Sequence, residues 1–252
     1  MRVRIITPIV TRNFVDPADL TAAARPDTEL SCVEIDEGPA SIESEFDAML
    51  AVPHTVARVM EAEAAGIDAV VINCMDDPGV RPAREVASIP IVGPCETAMH
   101  LAAMLAHRFS VVAVLDQLEP QFTNQARLHG VADRLASVRS VEIPVLALDA
   151  DPERLIHALI DQAVRAVEDD RAHAIVFGCT GMVGAAAAVQ DGLAARGIDG
   201  VPVIDPLVAA VKMAEMLTDL RLGHSKRTYP RPPGKAIHGY DAVTSLLGAG
   251  VS

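Results

Sequence analysis

Short runs of β-branched residues alternate with longer stretches rich in Ala, Glu and Arg along most of this sequence. Such alternation of strand-sized and helix-sized segments is typical of parallel sheets whose strands are connected by helices. Strands are predicted at 3–6, 31–35, 69–73, 90–92, 110–115, 141–146, 174–177 and 201–204, and helices at 51–65, 97–106, 152–169 and 208–220. The pattern therefore predicts the α/β class.

A weak internal repeat divides the sequence into two similar halves. Residues 69–74 (AVVINC) match residues 174–179 (AIVFGC), and residues 90–94 (PIVGP) match residues 202–206 (PVIDP). The repeat predicts two α/β lobes with parallel sheets, related by pseudo-twofold symmetry. We assign residues 1–106 and 207–252 to the first lobe and residues 107–206 to the second.

Each half carries a cysteine directly after an apolar predicted strand, Cys74 in the first and Cys179 in the second. Ligands of open α/β sheets bind beyond the carboxyl ends of the strands, so two facing halves would place both thiols in one cleft. A free cysteine is often a buried packing residue. The matched positions favour a functional role for this pair, whereas Cys32 and Cys95 lack such symmetry and are assigned to packing.

The residues around the two thiols predict different charge states. In the segment 178–182 (GCTGM), a helix start after the turn would direct N–H groups at Cys179 and lower its thiol pKa. Asp76 and Asp77 should instead disfavour a thiolate at Cys74 by repulsion between like charges. One thiolate and one neutral thiol on opposite faces of a stereocentre are the two groups that a two-base racemase needs.

Composition excludes several other classes of function. The formal net charge of −13 argues against binding to nucleic acid or to anionic lipid. No apolar run reaches the length of a membrane span and residues 1–10 do not resemble a signal peptide, so we expect a cytoplasmic protein with reduced thiols.

Motifs for metals and cofactors are also missing from the sequence. It contains no HExxH, no CxxC, no GxGxxG and no GxxxxGK[ST], so neither a metal site nor nucleotide binding is predicted. Lysine occurs only at positions 212, 226 and 235, which argues against pyridoxal phosphate chemistry. The tail from Arg221 to Lys235 is rich in Pro, Arg and Lys and is predicted to be an irregular surface segment.

An ordered set of motifs over nearly the whole chain is similar to the Asp/Glu/hydantoin racemase superfamily, and within it to the hydantoin and allantoin racemase branch. The motifs are 38–44 (GPASIES), Cys74 with 77–79 (DPG), 109–112 (FSVV), 178–182 (GCTGM), 202–205 (PVID) and 225–227 (SKR). The sequence departs from the branch at residues 7–10 (TPIV), where an Asn-Pro-Asn-Thr-like turn is usual, and at Ala113, where relatives often carry Thr.

The resemblance implies two Rossmann-like lobes, an active site in the cleft between them, catalysis without a cofactor and assembly into a homo-oligomer. It matches Cys74 and Cys179 to the paired acid/base cysteines of the family, and it places Thr7 at the border of a small-molecule substrate. Backbone N–H groups after each cysteine would hold the substrate's oxygen atoms, and these belong to Met75, Asp76, Thr180 and Gly181.

The hypothesis that follows is a cofactor-independent racemase or epimerase acting on a 5-substituted hydantoin, allantoin or a related amino-acid derivative by two-base proton transfer. One alternative is a maleate-type cis–trans isomerase or a decarboxylase of the same superfamily that uses one cysteine. Another is a non-catalytic protein that binds a small molecule. The sequence leaves open the substrate, the preferred enantiomer, the oligomeric state and which thiol is ionised.

Overall fold

The computed structural model describes residues 1–238 and 240, which form two compact units. The first unit comprises Met1–Ile42, Phe46–Gly93 and the described residues from Ala210 onward. The second comprises Glu43–Glu45 and Pro94–Ala209.

The first unit contains a four-stranded parallel sheet with the strand order β2-β1-β3-β4. Its elements are β1 (Arg2–Thr7), α1 (Pro17–Thr21), β2 (Glu29–Glu34), α2 (Glu45–Ala64), β3 (Ala69–Ile72), α3 (Val80–Val86) and β4 (Ile91–Val92). Val56 and Val59 of α2 pack with Val70 and Ile72 of β3 in one buried cluster. Burial of these apolar side chains holds the helix on the sheet.

The second unit contains another four-stranded parallel sheet, with the strand order β6-β5-β7-β8. Its elements are α4 (Pro94–Leu105), β5 (Phe109–Ala113), α5 (Glu119–Leu128), β6 (Leu135–Ser140), α6 (Pro152–Glu168), β7 (Ala174–Phe177), α7 (Ala186–Ala194) and β8 (Val203–Ile204). A last helix, α8 (Pro206–Asp219), begins in this unit and continues into the residues of the first.

The predicted α/β class with parallel sheets is confirmed, and the two sheets repeat the same strand order. Strands β3 and β7 occupy the same internal place in their sheets, and every residue of both is buried. Burial on both faces explains why these two segments read as continuous apolar runs.

The predicted strand at 141–146 is wrong, because the strand lies earlier, at Leu135–Ser140. All six residues of β6 are half-buried, so the apolar signal of this edge strand is weak. Val141 and Ile143 continue along the sheet through N–H bonds to the carbonyls of Ala113 and Val114. Pro144 then ends the pairing because it has no N–H group.

Helix α4 also differs from the predicted lobe boundary. The sequence placed residues 94–106 in the first lobe, whereas α4 from Pro94 belongs to the second compact unit. Glu43–Glu45 belong to that unit as well, although Glu45 is the first residue of α2, whose other residues belong to the first unit.

The segment that follows α8 forms neither helix nor strand over its described residues, as predicted for Arg221–Lys235. Side-chain contacts nevertheless fix it to the first unit. The Lys226 ammonium donates to the carbonyls of Arg84 and Ala87 at 2.7 and 2.5 Å, and the Ile91 N–H donates to His224 Nε2 at 2.8 Å. Among the described residues, no helix combines the length and the apolar character needed to cross a membrane.

Candidate active site

Cys74 lies in a tight turn directly after the buried strand β3. The Asn73 N–H continues the ladder to Ile6, and the Cys74 N–H then donates to the carbonyl of Ile72 at 2.9 Å. The Asp77 N–H closes the turn on the carbonyl of Cys74 at 3.1 Å. Asp77 itself has a φ of 52°, a left-handed conformation that aspartate tolerates better than most residues. The thiol is half-buried.

Cys179 occupies the corresponding place after strand β7. The preceding Gly178 donates its N–H to the carbonyl of Val112 at 2.7 Å, and a Cβ atom there would lie 2.7 Å from the Cα of Ala113. Only glycine fits this approach, which lets the chain pass β5 and place Cys179 before the 3-10 turn Thr180–Met182. The residue is 8% exposed.

Each sulfur atom accepts a backbone hydrogen bond from the residue two positions later. The Asp76 N–H donates to Cys74 Sγ at 3.5 Å, and the Gly181 N–H donates to Cys179 Sγ at 3.4 Å. A donor aimed at sulfur stabilises negative charge there. The two turns therefore have the same local geometry for holding a thiolate.

The four N–H groups that the resemblance assigned to the substrate's oxygens differ in whether they already have an acceptor. Those of Asp76 and Gly181 donate to the sulfur of the cysteine in their own turn. Those of Met75 and Thr180 precede them in the chain and stay as the candidates for holding a carbonyl oxygen. Met75 and Thr180 are both buried, where a hydrogen bond to oxygen is stronger than in water.

The lowering of the Cys179 pKa that the sequence suggested is outweighed in the structure. Burial raises the pKa of its thiol to about 12, the negative charges of Glu43 and Asp149 act in the same direction, and the Gly181 N–H lowers the pKa by less. The sequence indicated the N–H donor but not how far the sulfur is buried. Cys179 is therefore a neutral thiol at pH 7.

Thr7, which the resemblance placed at the substrate, lies beside Asn73 at the carboxyl ends of β1 and β3. Asn73 Nδ2 donates to Thr7 Oγ1 at 3.1 Å, and both residues are buried. Sequence reasoning missed Asn73. The sequence feature that could have identified it is the polar side chain at a repeat position where the second half has Gly178.

In each unit a carboxylate lies at the end of the strand next to the cysteine turn. In the second unit Asp205, directly after β8, accepts the Gly184 N–H at 2.9 Å and also the Leu207 N–H at the start of α8. In the first unit the matching residue is Gly93, and the carboxylate of Asp77 lies where a Cβ atom of Gly93 would be, with Cγ 2.4 Å from that point. The carboxylate comes from the strand end in the second unit and from the cysteine turn in the first. Sequence reasoning predicted neither arrangement.

The other two cysteines belong to other elements. Cys32 is half-buried within β2, and Cys95 is buried in the first turn of α4, with its sulfur 4.0 Å from that of Met99. None of the four cysteines forms a disulfide.

The fold and the paired thiol turns define a two-lobed α/β protein of the Asp/Glu/hydantoin racemase family, to which this chain belongs, since the family model matches residues 3–214. A hydantoin racemase of Pseudomonas sp. (strain NS671) is 40% identical over 242 residues, which cover 95% of each chain. The chain is an enzyme of the isomerase class, a racemase.

Solved structures agree with this assignment. Allantoin racemase from Klebsiella pneumoniae has a TM-score of 0.89 at 34% identity, covering 98% of both chains. Allantoin racemase from Pseudomonas fluorescens has a TM-score of 0.85 at 33% identity, covering 95% of this chain and 100% of that one. Arylmalonate decarboxylase, at 20% identity and a TM-score of 0.58 over 86% of this chain and 92% of its own, shares the fold alone.

Proposed function

We propose that this enzyme racemises a 5-substituted hydantoin or a related ureide such as allantoin, without a cofactor, by proton transfer between Cys74 and Cys179. The observation that carries the proposal is the pair of thiols at equivalent strand ends, each with a backbone N–H directed at its sulfur. The curated relative and the solved structures, named as hydantoin and allantoin racemases, support this substrate class.

In the direction that starts with Cys179 protonated, Cys74 acts as a thiolate and removes the proton from the stereocentre. The C–H bond breaks, an S–H bond forms at Cys74, and the electron pair passes into the adjacent carbonyl as an enolate. The N–H groups of Met75 and Thr180 are suited to holding that oxygen. Cys179 then gives its proton to the opposite face of the carbon and becomes the thiolate.

The opposite enantiomer uses the same steps in reverse. After one turnover Cys74 is protonated and Cys179 is ionised, which is the state that the other enantiomer requires. The Gly181 N–H, 3.4 Å from Cys179 Sγ, stabilises this second thiolate against the effect of burial. The mechanism requires both thiols to reach one carbon from opposite faces.

The test is racemisation in deuterium oxide, starting from one enantiomer of a 5-substituted hydantoin. Optical rotation should decay to zero while deuterium replaces hydrogen at the stereocentre. In the first turnovers the deuterium should appear in the product enantiomer and not in the remaining substrate, since separate groups serve the two faces. Parallel incubations with a substituted malonate and with maleate test the alternatives. Release of carbon dioxide from the first or cis–trans conversion of the second, without racemisation of the hydantoin, would favour them.

Single-cysteine variants test the assignment of the thiols. Cys74→Ser and Cys179→Ser should each lower kcat/KM by about 10³-fold, because a hydroxyl is a far weaker acid than a thiol and is not ionised at neutral pH. Cys32→Ser is the matched control, since this half-buried cysteine belongs to β2 and to neither turn, and it should keep full activity. Undiminished racemisation by either of the first two variants would refute the two-thiol mechanism.

A further inference from the structure

The two units differ in chemistry at one matched pair of positions beside the thiols. In the second unit, Ala113 ends β5 and Gly178 follows β7, and their backbones approach so closely that no side chain fits on Gly178. In the first unit, Thr7 ends β1 and Asn73 follows β3, and their polar side chains bond to each other. Of the two pairs, only the one in the unit of Cys74 is polar.

The hydrogen bonds of Asn73 leave one group unpaired. Its backbone N–H donates to Ile6 at 2.8 Å and its Nδ2 donates to Thr7 Oγ1 at 3.1 Å. Its Oδ1 is buried and accepts no hydrogen bond from the described residues, although Asn73 is only 2% exposed. A buried acceptor without a donor is destabilising, so Oδ1 has an unmet capacity for a hydrogen bond that a donor from outside the protein could satisfy.

Thr7 is the hydrogen-bond partner of the Asn73 amide. Nδ2 donates to Thr7 Oγ1, and Thr7 is itself 2% exposed, so water does not easily replace this partner. In this arrangement Oδ1 is the end of the amide that stays unpaired. Such an unpaired acceptor suits recognition of a single N–H donor.

Asn73 directly precedes Cys74, so both residues follow β3 at the same end of the sheet. In hydantoins and ureides the stereocentre carries an N–H group of its own, which is the donor nearest to the exchanged proton. We propose that Asn73 Oδ1 accepts a hydrogen bond from this N–H group and that Thr7 is the residue that positions the amide. The inference rests on the proposed function and makes Asn73 a specificity-determining residue.

An analogue that replaces the donor without changing ring size tests the proposal. A 5-substituted oxazolidine-2,4-dione has a ring oxygen where the hydantoin has the N–H bonded to the stereocentre. We expect the unaltered enzyme to prefer the hydantoin in kcat/KM, because Asn73 Oδ1 would face a second acceptor in the analogue. Dividing the preference of each variant by that of the unaltered enzyme cancels the intrinsic difference in acidity between the two rings.

Asn73→Ala should reduce this preference at least about tenfold, and Thr7→Val should reduce it severalfold by releasing the amide. Thr7→Ser keeps the hydroxyl and should restore the preference. Ser110→Ala is the matched control, since it removes a buried hydroxyl from the second unit, away from the cysteine turns, and should leave the preference unchanged. Thr7→Val gives the same readout should Asn73→Ala fail to fold.

The results distinguish a failure of the role of Asn73 from a failure of the proposed function. An unaltered preference in Asn73→Ala, with hydantoin still racemised, would overturn the role of Asn73 and leave the proposed function standing. A shift of the preference toward the hydantoin in Asn73→Ala, relative to the unaltered enzyme, would also overturn it, because the amide would then present its Nδ2 to the ring atom. Absence of racemisation of any hydantoin by the unaltered enzyme would defeat the proposed function, and the inference with it.

Discussion

Two local effects on the Cys179 thiol oppose each other. Burial disfavours the charged form of the sulfur, while the Gly181 N–H favours it through a hydrogen bond of 3.4 Å. Burial is the larger effect and raises the pKa to about 12. The enzyme can therefore keep this thiol as a proton donor at pH 7 while the N–H stabilises the thiolate formed during turnover.

We predict that alkylation of Cys179 depends on pH up to strongly alkaline values. Because the thiolate is the nucleophile, the rate of reaction with iodoacetamide should rise about tenfold per pH unit, without a plateau near neutrality. The measurement is mass spectrometry of the peptide that contains Cys179, in a Cys74→Ser background. The unfolded protein is the control and should level off above the ordinary cysteine pKa of about 8.5. A plateau below pH 8 in the folded protein would contradict the burial argument.

At the scale of elements, the buried central strands were the easiest to predict. Strand β7 has its predicted bounds, 174–177, because all four side chains are buried and apolar. The edge strand β6 was misplaced because each of its residues is half-buried. Helix α5 was missed because only Phe122 and Ala126 are buried, which is too few for a clear helical period.

Helix α3 shows how the tail supports an element next to the candidate site. This helix of seven residues follows the Cys74 turn, and Lys226 from the tail donates to the carbonyls of Arg84 and Ala87 at its carboxyl end. A cation there satisfies carbonyls that the helix leaves unpaired and interacts favourably with the helix dipole. The tail is thus an anchored part of the first unit.

We expect Lys226→Met to lower the free energy of unfolding by about 1–2 kcal/mol, since it keeps the apolar stem and removes the charged donor. Denaturation in urea measures this change. The matched control is Lys235→Met, which alters an exposed lysine of the same tail and should be neutral within about 0.5 kcal/mol. Equal stability of the two variants would show that the Lys226 contacts contribute nothing.

At the scale of the whole molecule, the sequence repeat predicted the shared topology and the places of both cysteines, but not the pairs formed across strands. Asn73 and Thr7 are 66 residues apart in the chain, and only the register of β1 with β3 brings them together. The connection between Asp77 and Gly93 depends in the same way on the path of the turn. Composition and periodicity carry no information on such register.

Each compact unit contains a carboxylate whose pKa is lowered by its contacts. For Glu215 in the first unit, burial raises the pKa, but hydrogen bonds from the Arg25 N–H, Lys212 and Thr28 lower it by more. For Asp170 in the second unit, burial is likewise outweighed by hydrogen bonds from side chains of that unit, chiefly a guanidinium. Both groups are therefore more acidic in the folded protein than in the unfolded chain.

The sign of the resulting pH dependence follows from proton linkage. A carboxylate with a lowered folded pKa stabilises the fold above its unfolded value, here 4.5 for Glu215 and 3.8 for Asp170, and this contribution is lost as the pH falls through the folded pKa. We predict that the free energy of unfolding, measured by urea denaturation, falls steeply below about pH 4.5. The Glu215→Gln and Asp170→Asn double variant should be less stable at pH 7 and lose less stability between pH 5 and pH 3. Glu168→Gln, an exposed isosteric control, should follow the unaltered enzyme. A double variant with the same acid slope as the unaltered enzyme would show that these two carboxylates do not set its acid sensitivity.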